Sequence, residues 1–514
     1  MSLTKLSYAM IQGAPVNVLD FGAMGDGSTD NSTAFNLALA SNPSSLIIPA
    51  GDYILNTPQV ISASIEIIGI GNPTIRSTTN GSRLLSGNAI NDVKISGITF
   101  KGTDSSVVPT SGASPVLAVN CGLVTLSNCA RVHVSECTFD TFYNGLTCYK
   151  CTDVWVTNNY VTHWYLYGIL GSLSSRIWVD YNDIITCDFN GATNSYGVMI
   201  TGDDAGGNAS SVCSISNNFI KQVRSWDGIM THDITNLKIV NNQIEDVRIG
   251  VDVGHFTSTN VIKSVLIEGN TIKLTSTNTW STTPATHNGI SVIGYDATHQ
   301  CERVSVVGNQ VDNYGNMSGA VLGGAPGPYS FQNIRNLTVS GNQVTNAGAI
   351  QAASGMYLVG TLNCVAISGN TFNGTFVSGC IRTASVTIDY MSVSGNTTTD
   401  ANTADVNEYY GAGTITQLSS VGNACNSVPY AFVGTITNSN ITLYGTTLAW
   451  NPGVIASGAT ATTLVTVTGA ILGDVAFASY SLTLSGVTIS AYVSATDAVT
   501  VVVTNNSGSS KTLT

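Results

Sequence analysis

The chain has 514 residues, a formal net charge of −12 and only 9% charged residues, where ordinary soluble proteins carry roughly 25%. The acidic balance excludes a nucleic-acid backbone or an anionic membrane as partner, and no apolar run approaches a membrane span. With 43% hydrophobic residues the chain is not disordered, yet few Glu, Lys and Arg remain for exposed helical faces. Val, Ile and Thr instead recur in short runs broken by Gly and Asn, which predicts strands and turns. The length exceeds one ordinary globular core.

The first residues, "MSLTKLSYAMIQGAP", lack the apolar stretch of a secretory signal, which fits synthesis in a cytoplasm. "DFGAMGDGSTDNSTAF" (Asp20–Phe35) is dense in Asp and Gly, but its spacing departs from a calcium loop and lacks the terminal Glu. Asp20, Asp26 and Asp30 are read as turn-formers, and no metal or other cofactor is expected. "DNSTAFNLALAS" (Asp30–Ser41) predicts a short amphipathic helix with Asp30 or Ser32 as N-cap. "SLIIPAGDYIL" (Ser45–Leu55) then gives strand, turn and strand. Cys148 and Cys151 form a lone CxxC, and the eleven scattered cysteines read as buried reduced thiols.

The middle of the chain repeats itself. "DVWVTNNYV" (Asp153–Val161), "RIWVDYNDI" (Arg176–Ile184), "NLKIVNNQI" (Asn236–Ile244), "SVLIEGNTI" (Ser264–Ile272) and "NLTVSGNQV" (Asn336–Val344) share alternating apolar residues and a turn ending in Asn. That Asn recurs at positions 159, 182, 218, 242, 270, 309, 342, 370, 396 and 423, a mean step of about 29 residues. Such a period marks a solenoid, and the alternation makes its coils from short strands. A second landmark, Gly followed by an apolar residue, recurs at Gly145, Gly168, Gly197, Gly228, Gly250 and Gly289. Both landmarks fit a single-stranded parallel β-helix with coils about 4.8 Å apart. The repeated Asn is expected to take the left-handed conformation and to bond the coils above and below. The helix near Asp30–Ser41 would cover the first coil, whose open edge otherwise invites aggregation. From about Leu448 the Asn anchors stop, and five or so alternating strands predict a compact antiparallel β domain. The expected divisions are 1–15 as a remnant of an attachment region, 16–60 as entry motif and capping helix, 61–446 as β-helix, and 447–514 as a sandwich-like domain for trimerisation or carbohydrate binding.

The segment "VNVLDFGAMGDGSTDNSTAFNLAL", followed by "LIIPAGDYIL", resembles the entry motif of pectate-lyase-like β-helix proteins of bacteriophage tailspikes. The resemblance implies a right-handed β-helix, a homotrimer, a virion-tail location and attachment to a phage baseplate or adaptor protein. It also implies a bacterial surface polysaccharide, capsule or O-antigen, as the partner. It does not choose between hydrolases and lyases.

Hydrolysis of a glycosidic bond needs two carboxylates. Acidic residues are scarce but cluster between Asp183 and Asp252. Counting from the Gly landmark points Ile229, Thr231, Val251 and Val253 inward, and Met230, His232 and Asp252 outward. Asp227 precedes Gly228 in the turn, roughly 11 Å from Asp252 by strand geometry, and Asp203 and Asp204 lie in the "TGDDAGGNAS" loop. Asp227, Asp252, Asp204, Asp203 and His232 are therefore the catalytic candidates. "WDGIM" resembles the Asp-Gly segment of polygalacturonase-type hydrolases, where the Asp is catalytic. "HNGISVIG" resembles their Gly-His-Gly segment with Asn288 intervening, and Arg248 and Ile249 stand where a double Asp is expected. Trp164, Tyr165, Tyr167, Tyr196 and Trp226 offer rings for sugar C–H faces, and Arg224 and Arg248 offer charge for an anionic sugar; Arg248 otherwise pairs with Glu245 or Asp246. Paired-carboxylate hydrolysis is the expected reaction. The alternatives are β-elimination by Lys221, Arg224, Arg248 or His232 on a uronate polymer, and a non-cleaving adhesin.

Overall fold

The computed structural model describes residues 15–79, 83–103, 122–187, 195–202, 210–223, 226–254, 262–275, 288–313, 328–346, 354–374, 376, 380–399, 409–421, 423, 430–432, 435–439, 448–468, 470–474, 476–479 and 485–513. Two compact units divide at 438/439.

The first unit is a right-handed parallel β-helix. Its strands pair in parallel, each with a strand one coil away, in one 38-stranded network. The inward column Ile229, Val251, Ile290, Tyr329 and Met356 shows the principle: each is the in-register partner of the next, and all are buried in one continuous core. The Gly landmark has a steric cause. At Gly145, Gly168, Gly197, Gly228 and Gly250 an added Cβ would stand 2.5–2.9 Å from the carbonyl oxygen of the next Gly along the stack. At these corners the coils approach too closely for any side chain.

The Asn column forms an unbroken ladder. Asn242 is typical: its Nδ2 donates to Ile215 O and to Asn270 Oδ1, each at 2.9 Å. Its Oδ1 accepts from the Asn218 N–H and Nδ2, each at 3.0 Å. The same pattern runs from Asn159 to Asn423. The left-handed residue, however, is the one before each ladder Asn. Asn158, Tyr181, Asn217 and Asn241 have φ of 55–57°, and Gly269, Gly308, Gly341, Gly369 and Gly395 take 62–66°. The positive-φ residue turns the chain, which leaves the following amide aimed along the stack.

The helix Ser32–Ala40 buries Ala34, Phe35, Ala38 and Leu39 in the core of the first coils, with Phe35 edge-on to Tyr53 at 5.6 Å. Its N-cap is Asn31, which makes no side-chain cap bond. Asp30 instead, one residue earlier, accepts from the Ser32 N–H at 3.0 Å, so neither expected residue is the cap. Asp26 behaves as a turn-former, accepting from the Ser28 and Thr29 N–H groups. Asp20 lies in a single 3-10 turn, Val18–Phe21. Cys148 and Cys151 are buried and not disulfide-bonded.

The second unit has a three-stranded antiparallel sheet, in which Ala498–Asn505 lies between Thr460–Thr466 and Val487–Ala495. Gly453–Ile455 pairs with Lys511–Leu513. Its buried apolar residues form two small clusters, around Val503 and around Val499.

Replacing Asn242 by Ala strands the Asn218 N–H and the Ile215 carbonyl in the interior. We expect a loss of about 3 kcal/mol in equilibrium denaturation; a loss within error of zero would show that the ladder does not hold the coils.

Candidate active site on the outer face of one sheet

The outward positions of the sheet that carries the Gly landmark form columns along the stack. One runs Asn144, Tyr167, Tyr196, Asp227, Ile249 and Asn288. A second runs Thr147, Leu170, Met199, Met230, Asp252, Ser291 and Ser330. A third brings His232 opposite Gly254, whose missing Cβ would meet the imidazole at 3.5 Å. In the strands Asp227–His232 and Ile249–Gly254 the residues facing the interior are Ile229, Thr231, Val251 and Val253. Met230, His232 and Asp252 face outward.

Asp227 is not a turn residue at the surface. It is the first residue of its strand and is 0% exposed. Among the described residues neither carboxylate oxygen has a hydrogen-bond partner. Burial, and then the charge of Asp252, push its pKa well above the usual carboxylate range, while the Arg248 guanidinium pulls it down. Asp252, on the next coil, is pushed up to about 6 by burial, against the Ser291 hydroxyl and the Val253 N–H, which stabilise its ionised form. Its Oδ1 is buried and without a partner. The two carboxyls are thus electrostatically coupled neighbours. Burial favours the protonated form of Asp227, while Asp252, at about 6, is mostly ionised near neutral pH, so the environment sets the two carboxyls apart.

Around the pair lies an apolar outer patch of Tyr143, Leu166, Tyr167, Leu170, Tyr196, Met199 and Met230, with Tyr165 and Trp226 half-buried against it. Tyr167 stacks on Tyr196 at 5.4 Å and Tyr143 on Tyr165 at 5.3 Å. Burial, and then Asp227, raise the Tyr196 phenol. The expected exposed stripe of rings is therefore mostly a buried patch: Tyr167 and Tyr196 are covered, and only Tyr165 and Trp226 are partly accessible. Trp164 is not on this face. It is 0% exposed and packed in the coil interior, because the strand Tyr160–Ser172 places it opposite Phe142, which is also buried in that core. Arg248 pairs with neither Glu245 nor Asp246. Glu245 binds Lys221 at 3.0 Å, and Asp246 accepts from the Thr275 N–H and hydroxyl. Arg248 instead lies over the Trp226 ring, 4.2 Å from its centroid, which sets a cation beside Asp227. Asp203, Asp204 and Arg224 lie outside the described residues.

Ser291 was not among the sequence candidates. Its signal was available: it follows Gly289 by two, as Asp252 follows Gly250. Among the described residues no three His, Cys, Asp or Glu side chains gather as a metal-binding group, and no helix is long and apolar enough to cross a membrane.

Residues 15–252 match the family described as rhamnogalacturonase A/epimerase, pectate lyase-like. No curated protein matches the chain in sequence. Among solved structures, the catalytic unit of the GH87 alpha-1,3-glucanase of Streptomyces thermodiastaticus superposes with a TM-score of 0.53 at 16% identity, covering 82% of this chain and 69% of that one. The Pseudomonas phage phi297 tailspike gp61 gives 0.44 at 12% identity, with 96% of each chain covered. The exopolygalacturonase of Thermotoga maritima gives 0.44 at 13%, with 73% and 91% covered. The likeness to the alpha-1,3-glucanase shows a shared fold.

The raised pKa values carry a sign. A carboxyl whose folded pKa lies above its unfolded value leaves stability untouched below about pH 4 and removes it as pH rises through the folded pKa, here about 6 for Asp252. Asp227→Asn should therefore melt higher than the parent at pH 8, with the difference vanishing near pH 4. A lower melting temperature at pH 8 would show that the carboxylate is held by partners after all.

Proposed function

We propose that this chain, whose residues 15–252 form a pectate-lyase-like domain, is a phage tailspike depolymerase that binds and hydrolyses a bacterial surface polysaccharide. The observation that carries the reading is the coupled pair of buried Asp227 and half-buried Asp252. A fold stabilised by burying apolar groups has no reason to hold an unpartnered carboxyl at Asp227 unless that carboxyl works. The entry motif at Val16–Leu39 supports the tailspike assignment, and the family match supports the polysaccharide.

Asp227 is assigned as general acid. Its raised pKa favours the protonated form, which delivers its proton to the glycosidic oxygen as the C–O bond breaks. Asp252 is assigned as the ionised partner. It either attacks the anomeric carbon or takes a proton from the attacking water, according to the separation of the two carboxyls in the complex. Ser291, in register with Asp252 on the next coil, favours its ionised form and is assigned as a positioning residue. Arg248, fixed over Trp226, neutralises charge beside Asp227 and faces an acidic substituent of the substrate; Tyr165 and Trp226 supply ring surface. His232, two residues along from Asp252 in the register, is within reach of a sugar hydroxyl. Of the elimination candidates, Lys221 is engaged by Glu245, which weakens it as a base. Self-association as a trimer and attachment to a phage baseplate or adaptor protein belong to the same proposal.

Asp227→Asn and Asp252→Asn should each lower kcat by at least about a thousandfold on a panel of capsular and O-antigen polysaccharides, read by product mass spectrometry. Products bearing an unsaturated uronate absorbance would overturn hydrolysis in favour of elimination, and full activity of both variants would remove the site assignment. The kcat/KM profile should be bell-shaped, with its acidic limb near pH 6 set by Asp252. An acidic limb unmoved in Asp252→Glu would detach it from that residue.

A further inference from the structure

A second sheet of the β-helix carries a different outward column. Its in-register members are Lys94, His133, Trp155, Trp178, Ser214 and Lys238. Three of these form a face-to-face stack along the coil axis. His133 lies 4.2 Å from Trp155 at 10°, and Trp155 lies 4.9 Å from Trp178 at 8°. All three rings are half-buried and reach the surface at their edges. The stack spacing is the coil spacing, so each ring occupies the height of one coil.

The two ends of the stack differ. Beyond His133 stands Lys94, close enough that its charge lowers the imidazole pKa, second to burial. Beyond Trp178 the next coil offers only Ser214, a side chain too short to cover an indole, and the coil after that offers the exposed Lys238. Among the described residues no cation lies over the Trp178 ring. The column therefore omits one ring. Trp178 and Lys238 are two coils apart, roughly 10 Å between backbones, which leaves the height of a single ring above Ser214.

We propose that this opening is an ancillary binding site for one acidic sugar ring of the polymer, separate from the carboxylate pair. The C–H face of the ring packs on Trp178 in the position where a fourth stacked ring would lie. Its carboxylate meets the Lys238 ammonium, and Ser214 supplies a hydroxyl at the floor. An aromatic face with a cation one ring's height above it selects an acidic sugar over a neutral one, because the neutral sugar leaves Lys238 unanswered. The choice of a sugar as occupant rests on the depolymerase reading, but the site itself does not use Asp227 or Asp252. Its consequence is retention: a polymer held on a second sheet stays near the cleaving face between turnovers, as linked sites raise effective concentration.

The test uses the full chain and named probes: oligogalacturonate, hyaluronan and alginate oligosaccharides, with dextran oligosaccharide as the neutral comparison. Binding is read by calorimetry and tryptophan fluorescence. At least one acidic probe should bind with a fluorescence change, and dextran should not. Ser214→Trp, which completes the stack, should weaken that binding at least tenfold while keeping or raising the melting temperature; Trp178→Ala and Lys238→Gln should weaken it by about tenfold. Ser214→Trp should leave kcat on short fragments unchanged and raise KM on long polymer. Identical isotherms for the parent and Ser214→Trp, equal binding of dextran, or no binding of any acidic probe would overturn the proposal. If no polysaccharide is cleaved while Ser214-dependent binding persists, the depolymerase reading fails and this site stands.

Discussion

Each strand side chain of the β-helix has among its nearest neighbours the residues at the same position one coil before and one coil after. Parallel in-register stacking imposes that condition, and most of the structure follows from it. A residue type succeeds at a position only if it interacts well with its own kind or with a complement. Asn meets the condition because its amide both donates and accepts along the axis, so the column can extend from Asn159 to Asn423 without an orphan between them. Gly meets it at the close-contact corners, and Val, Ile and Leu meet it in the interior. Flat rings meet it by stacking, as Trp155 does between His133 and Trp178.

Charge fails the condition, since like charges would lie one coil apart over many coils. The 9% charged content follows from this. At one corner, stacked charged residues alternate in sign. Asp92, Arg131, Asp153 and Arg176 occupy successive coils at one corner, with Arg131 on Asp92 at 2.6 Å and Arg176 on Asp153. All four have φ of 55–59°, so the left-handed corner aims each side chain along the axis toward the next. Asp227 and Asp252 lie in different columns, facing Ile249 and Met230 across the coils. They are nonetheless acidic groups on adjacent coils, both with raised pKa values, and the charge of Asp252 adds to the shift of Asp227. Two such groups near each other in a chain this poor in charge are the strongest candidate for function.

The coil architecture was legible because its cause is local. The Asn and Gly landmarks record contacts that every coil makes, so periodicity alone exposes them, and counting from Gly228 and Gly250 is enough to point Met230, His232 and Asp252 outward. What was not legible depends on contacts that do not repeat. Trp164 looked like a surface ring beside Tyr165 and Tyr167, but the chain shifts register between Phe142 and Asn144 in the partnering strand, and Trp164 falls on the inward side. Glu245 is taken by Lys221, one coil away and in register with it, and the Arg248 guanidinium lies over the Trp226 ring. The left-handed residue was misplaced by one for a similar reason. The ladder Asn and the residue before it are both often Asn, as at Asn158 and Asn159, and composition cannot tell which turns the chain and which bonds the coils.

The same condition also explains how one scaffold can carry the proposed cleaving face and the proposed gripping face without either compromising the fold. A column tolerates substitution at one coil provided the neighbours on either side remain satisfied by their own backbone hydrogen bonds, which do not depend on side chains. Replacing Met by Asp at the coil of Asp252 interrupts the apolar run Leu170, Met199 and Met230 and leaves the strand pairing intact. Replacing a ring by Ser at the coil of Ser214 interrupts an aromatic run in the same way. The cost of each interruption is confined to one column and about one coil on either side, as expected of a nearly one-dimensional stack. Both proposed sites therefore lie where an outward column changes character.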